Sequence, residues 1–163
     1  MAEAGSGRGE ASDEPREFLF YHLKNSSTEN VLSTLLEKTI ERGWKADVAA
    51  ADAGRLAALD VFLWTYRDDG FLPHGVAGGA HDGMQPVLLT CEEGQSNGGA
   101  VLFLIDGVTY EDYSPYSRVV YLFQDRDGPG VEAARALWRS LAETDWAVSY
   151  WAQEASGGFA KKA

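Results

Sequence analysis

The chain has 163 residues, 45% of them hydrophobic and 12% aromatic, which suits one domain with a single core and is too apolar for a disordered polypeptide. Its formal net charge of −11 repels phosphate backbones and argues against direct, tight nucleic-acid binding by the surface as a whole. A lone Cys91 excludes an intramolecular disulfide framework, no apolar run approaches the ~20 residues of a membrane span, and the N-terminus lacks a basic-then-apolar signal pattern, so the sequence points to a cytoplasmic protein.

Residues 1–16 are small, polar and charged, with no apolar periodicity, and read as a disordered tail; residues 17–163 read as one domain. Phe18 to Leu23 is an apolar and aromatic run of strand length. Ser26 and Glu29 then have capping-box spacing, Leu32, Leu35, Leu36 and Ile40 recur at helical spacing, and Gly43 sits where a left-handed residue would stop the helix. Lys45 to Ala50 is the next strand, and this β-α-β order predicts a parallel pair joined by a right-handed crossover.

A second helix is predicted over residues 52–64, with Leu56, Leu59 and Leu63 on one face. It delivers a rim-like stretch, residues 59–75, that carries Trp64, Tyr66 and Phe71 and ends at Pro73 and His74. These rings are either core or an anchor pocket for a partner's side chains. Residues 76–84 read as a glycine-bearing loop. Continuous apolar runs at 86–90, 100–105 and 119–123 predict strands covered on both faces. The best helix of the sequence follows from Val131 to about Glu143, and residues 146–163 are aromatic, then glycine-bearing, then basic. The whole predicts a three-layer α/β fold with a mostly parallel central sheet of about five strands.

Chemistry-bearing motifs are few. The turn after the first strand, Lys24 to Ser27, has no glycine to let backbone N–H groups approach a phosphate, and no G-x-x-x-x-G-K-[S/T] occurs. His22, His74 and His81 lack metal-ligand spacing, and Cys91 has no visible activating context, so no cofactor or metal is expected. The last helix is more informative. Arg135, Trp138, Arg139 and Ala142 fall at i, i+3, i+4 and i+7, while Val131, Ala134, Leu137 and Leu141 form the stripe that would dock on the sheet. The outer stripe is either an ordinary solvated face or a site for a carboxylate attached to an apolar group, with guanidinium taking the charge and indole the ring.

Taken together, F-Y-H-L at Phe20 to Leu23, L-D-V-F-L-W at Leu59 to Trp64, F-L-P-H-G at Phe71 to Gly75 and Q-P-V-L-L-T at Gln85 to Thr90 resemble the chi subunit of bacterial DNA polymerase III. So do R-V-V-Y-L-F at Arg118 to Phe123, A-R-A-L-W at Ala134 to Trp138 and Y-W-A-Q-E at Tyr150 to Glu154. The resemblance implies a Rossmann-like fold without catalytic activity, in an accessory subunit that joins the clamp loader to single-stranded-DNA-binding protein by holding that protein's acidic, phenylalanine-terminated tail. It also implies a psi subunit as a second partner in bacteria that possess one. Carried over, the tail site falls on Trp64, Pro73, Phe123, Arg135, Trp138 and Arg139, brought into one notch. Val131 stands where the family can have a lysine. The reading from another class is a small hydrolase or nucleotide-using enzyme with its site at the carboxyl ends of the strands.

Overall fold

The computed structural model describes residues 15–67 and 72–163. In chain order the elements are β1 (Glu17–Leu23), α1 (Thr28–Glu41), β2 (Ala46–Ala49), α2 (Ala53–Thr65), β3 (Gly75–Val76), β4 (Val87–Thr90), β5 (Val101–Leu104), β6 (Arg118–Gln124), α3 (Gly128–Ser140), β7 (Ala147–Gln153) and β8 (Phe159–Lys161). They form one sheet of eight strands, ordered β3-β4-β2-β5-β6-β1-β7-β8. Every pairing is parallel except the last, β7 with β8.

The mostly parallel α/β architecture is the one expected, but the sheet is wider than about five strands. The five expected strands became β1, β2, β4, β5 and β6. β3 is only two residues long, too short to leave a periodic signal. β7 and β8 lie toward one edge, where a strand need not be apolar on both faces, and Ala147–Gln153 is largely half-buried. β1 and β2 are parallel but not adjacent, because β5 and β6 lie between them.

Alternation along β1 divides the core. Leu19 and Leu23 join Leu32 and Leu36 of α1 and Leu56, Leu59 and Leu63 of α2 on one face. Phe18 and Phe20 join Ala134 and Leu137 of α3, and Leu141 just past its end, on the other. The three layers are therefore α1 and α2, the sheet, and α3. The loop over residues 106–117 extends the α3 layer, with Tyr116 buried and Tyr113 packed against Phe18. Beneath this loop the fully buried Asp47 carboxylate accepts from Ser96 Oγ, the Asn97 N–H and Tyr116 Oη. Burial, and then this bond, raises the Tyr116 phenol far above its ordinary pKa, so it remains a donor.

Local details refine the expected boundaries. Ser27, not Ser26, caps α1, accepting from the Asn30 N–H at 3.1 Å. Glu29 turns instead to Arg55 of α2 at 2.6 Å, and Arg55 also reaches Asp106 after β5, tying three segments together. Gly43 does adopt a positive φ of 81° after α1. α3 begins at Gly128, earlier than Val131, because Pro129 fits the first helical turn, where no backbone donor is needed. Arg16, counted with the tail, is held by the carbonyls of Tyr113 and Tyr116 and lies 4.0 Å over the Trp146 ring. The rest of the expected tail, apart from Pro15, lies outside the described residues, as do residues 68–71 with Phe71.

β7, next to the edge strand β8, is tied to the turn after β1 by Gln153, which is 4% exposed. Its Oε1 accepts from the backbone N–H groups of Lys24, Asn25 and Ser26 at 3.0, 3.0 and 3.2 Å. Its Nε2 donates to Ser26 Oγ and to the Gly157 carbonyl. Gln153→Leu keeps the volume but strands these donors, and is expected to lower the unfolding free energy by about 1–3 kcal/mol in a urea titration; an unchanged midpoint would show that water replaces the amide at no cost.

Candidate functional site

A cavity of about 300 Å³ opens between α3 and β7. Its floor is Phe20 and His22 of β1, Phe123 of β6 and Tyr150 of β7, one wall is Val131, Ala134, Arg135, Trp138 and Arg139 of α3, and the far rim is Ala163. The floor follows from strand alternation, since Phe20 and His22 are two apart and face α3. The wall follows from helical spacing, since the stripe next to the buried Ala134 and Leu137 must border the groove that α3 makes with the sheet.

The aromatic parts of the pocket support one another. Trp138 is 36% exposed and packs edge-on against Phe20, with centroids 5.3 Å apart. The His22 ring stacks on Phe123 at 4.6 Å. His22 also bridges two elements, its Nδ1 lying 2.7 Å from Tyr150 Oη and its Nε2 2.8 Å from Asp125 Oδ1. A neutral ring that takes the Tyr150 proton bond on Nδ1 and donates Nε2–H to Asp125 satisfies all three groups. Burial, then the Asp125 charge, holds the Tyr150 phenol above its ordinary pKa, which keeps it neutral and donating.

The cationic part is open to solvent. Arg135 makes a long contact to Glu132, 3.3 Å, between side chains 66% and 72% exposed. A pair so exposed holds its partners weakly and leaves the guanidinium able to exchange it for another carboxylate. The pocket thus offers apolar ring faces beside planar, fork-shaped donors, which suits an apolar group carrying a carboxylate.

Of the residues singled out from the sequence, Phe123, Arg135, Trp138 and Arg139 line this cavity together. Trp64 and Pro73 do not, which corrects the expectation of one shared notch. Trp64 is on α2, whose buried face packs in the core on the opposite side of the sheet from α3. The Trp64 indole is 53% exposed and 5.1 Å from the His74 ring. His74 donates Nδ1–H to the Leu72 carbonyl at 2.7 Å and has Nε2 2.9 Å from Asp60 Oδ1, which pins the Pro73 segment to α2. With Val61 at 61% and Val76 at 42% exposure, this side of the molecule presents apolar groups of its own.

Sequence reasoning missed Phe20, His22 and Tyr150 as lining residues. Period two from Phe18 through Phe20 to His22 was the available signal for the first two; nothing comparable marks Tyr150, because β7 itself left no clear pattern.

A second, polar crevice of about 470 Å³ lies at the carboxyl ends of β1 and β6, lined by Asn25, Ser26, Ser27, Gln124, Arg126 and Asp127. Helices leave these neighbouring strands toward opposite faces, so this is the position where related sheets hold nucleotides. Here the turn's backbone donors are already taken by Gln153, and Gln124 Nε2 donates across the crevice to the Ser26 carbonyl. Among the described residues no group of three or more His, Cys, Asp and Glu could hold a metal, and no helix is long and apolar enough to cross a membrane.

Residues 16–149 match the profile of the family described as DNA polymerase III chi subunit, HolC. A stretch of 90 residues is 29% identical to the probable DNA polymerase III subunit chi of Rickettsia prowazekii (strain Madrid E), covering 55% of this chain and 54% of that protein. The profile match spans β1 through the start of β7, and so includes strands β1 to β6, all three helices and the α3 wall of the pocket. The chain belongs to the DNA polymerase III chi subunit family.

Proposed function

We propose that this protein is a non-catalytic accessory subunit of the polymerase III assembly that links the clamp loader to single-stranded-DNA-binding protein, by holding the acidic C-terminal tail of that protein in the α3–β7 pocket. The observation that carries the reading is the joining of an aromatic floor to two arginines on one wall. A terminal phenylalanine ring enters between Phe123 and Trp138. The terminal carboxylate is taken by Arg135 and Arg139, on which a tail of further acidic residues is also steered despite the acidic whole, because local charge dominates within about 8 Å at physiological salt.

Trp64 and Pro73 leave the tail site under this reading. Their exposed apolar surroundings on the α2 side suit a different partner, and where the clamp loader contains a psi subunit this is the surface we assign to it. Its placement across the sheet from the pocket allows both partners to be held at once.

Calorimetric titration with an acidic peptide ending in phenylalanine tests the tail site. Arg135→Ala is expected to weaken binding about ten- to a hundredfold, the range for a charged hydrogen-bonded contact, and equal affinity in the two proteins would remove the role assigned to Arg135. Deleting the terminal phenylalanine should cost at least about tenfold, from the lost burial of one ring.

Trp64→Ala provides the contrast. It is expected to leave the peptide affinity within error of wild type, because the sheet separates it from the pocket; a loss comparable to that of Arg135→Ala would restore the single notch.

A further inference from the structure

The far rim of the pocket is built by the last residues of the chain, which carry chemistry that the α3 wall does not. β7 and β8 pair antiparallel with Trp151 opposite Lys161, Ala152 opposite Ala160 and Gln153 opposite Phe159. The turn between them is closed by Glu154 N–H to the Gly158 carbonyl and Gly157 N–H to the Glu154 carbonyl, both at 2.8 Å, with Gly157 at a φ of 97° that favours glycine. Past β8 the pairing turns irregular, with two residues set against one: the N–H groups of Lys162 and Ala163 both donate to the Tyr150 carbonyl, at 2.8 and 3.4 Å, and Tyr150 N–H donates to the Ala163 carbonyl at 3.3 Å. The backbone of residues 162–163 is therefore fixed against the residue that forms the pocket's floor.

Alternation then assigns the faces. Phe159 packs on Tyr21, 4.9 Å between centroids, in the core layer beneath α1 and α2. Lys161, two residues on, belongs to that same face, and Ala160 belongs to the face of α3; at the irregular end Lys162 and Ala163 both stand opposite Tyr150, and Ala163 lines the pocket. Lys162 is exposed, bonded to the Tyr150 carbonyl and next in the chain to Ala163, which lines the pocket together with Arg135 and Arg139. Two acids near the mouth are engaged by the protein itself: Asp125 bonds His22 of β1, and Glu132 contacts Arg135 on its own helix.

We infer that Lys162 is a third cation of the peptide site, receiving a carboxylate upstream of the peptide's terminal residue while the α3 arginines hold the terminal one. This inference rests on the proposed tail-binding role. The occupant is an acidic peptide rather than a single small acid, because a cation beside the rim residue Ala163, apart from the two arginines of α3, matches charges separated along a chain. A lysine suits this position, since its flexible point charge can follow successive carboxylates without the fixed geometry a guanidinium demands.

The test compares wild type, Lys162→Ala, Lys161→Ala and Arg135→Ala by calorimetry with two peptides. One is the acidic peptide ending in phenylalanine, and the other has its upstream Asp and Glu replaced by Asn and Gln while the terminal residue is kept. Lys162→Ala is expected to weaken the acidic peptide about two- to fivefold at low salt, as for an exposed ion pair, and to leave the neutralised peptide unaffected. Lys161→Ala, on the other face of β8, should match wild type with both. Wild-type affinity in Lys162→Ala, or an equal loss in Lys161→Ala, overturns the inference. A loss at Arg135 with none at Lys162 defeats the third cation alone, whereas wild-type affinity in Arg135→Ala defeats the parent reading and this one with it.

Discussion

The alternation of side chains along β1 is the constraint on which the rest of the molecule depends. β1 is the one strand paired along its length with both β6 and β7, and every second residue must face the opposite layer. Leu19 and Leu23 face the α1–α2 core, and Phe18 and Phe20 the α3 core. A one-residue slip would turn both sets to the wrong side, so the register is strongly specified. The same rule puts His22 at the mouth of the pocket: it is the residue of the Phe18–Phe20 series that comes where the core gives way to solvent. A polar ring there can stack on Phe123 and still reach Asp125 and Tyr150.

How much of this was legible in the sequence depended on how complete the burial of each element is. β4 and β5 are buried at every position, and their continuous apolar runs announced them. β7 is half-buried through most of its length, and its Ala-Val-Ser-Tyr-Trp-Ala-Gln sequence has neither a continuous nor a cleanly alternating pattern. What holds it is Gln153, a polar residue whose role depends on three N–H groups more than a hundred positions earlier. No local reading of residues 146–163 could supply that partner.

The candidate site divides along the same line. Phe123, Arg135, Trp138 and Arg139 could be grouped from sequence because a strand end and the helix it leads into are neighbours in the chain, so their juxtaposition in the cavity is local geometry. Joining Trp64 to them required knowing which face of the sheet α2 covers. The stripe Leu56, Leu59 and Leu63 states that α2 has a buried side, but an apolar stripe fits either face of a sheet equally well. The crossover from β2 decides the matter, and it took α2 to the layer of α1, with Arg55 then bonding Glu29 to fasten the two helices.

That division bears on the adaptor role proposed above. Such an adaptor must hold two partners without having one obstruct the other, and a three-layer architecture provides two outward surfaces with the sheet between them. In this protein one surface combines ring faces with guanidinium groups beside α3, and the other presents Trp64 and Val61 on α2. On the proposed reading the first surface recognises charge and its binding weakens with salt, while the second offers mainly apolar contact, which salt does not screen. Two unlike attachments on opposite layers would then be loosened independently. In the crevice where a Rossmann-like sheet would bind nucleotide, the N–H groups of the turn are engaged by the chain's own glutamine, so the proposed division of labour rests on the two faces, with the sheet as the spacer between them.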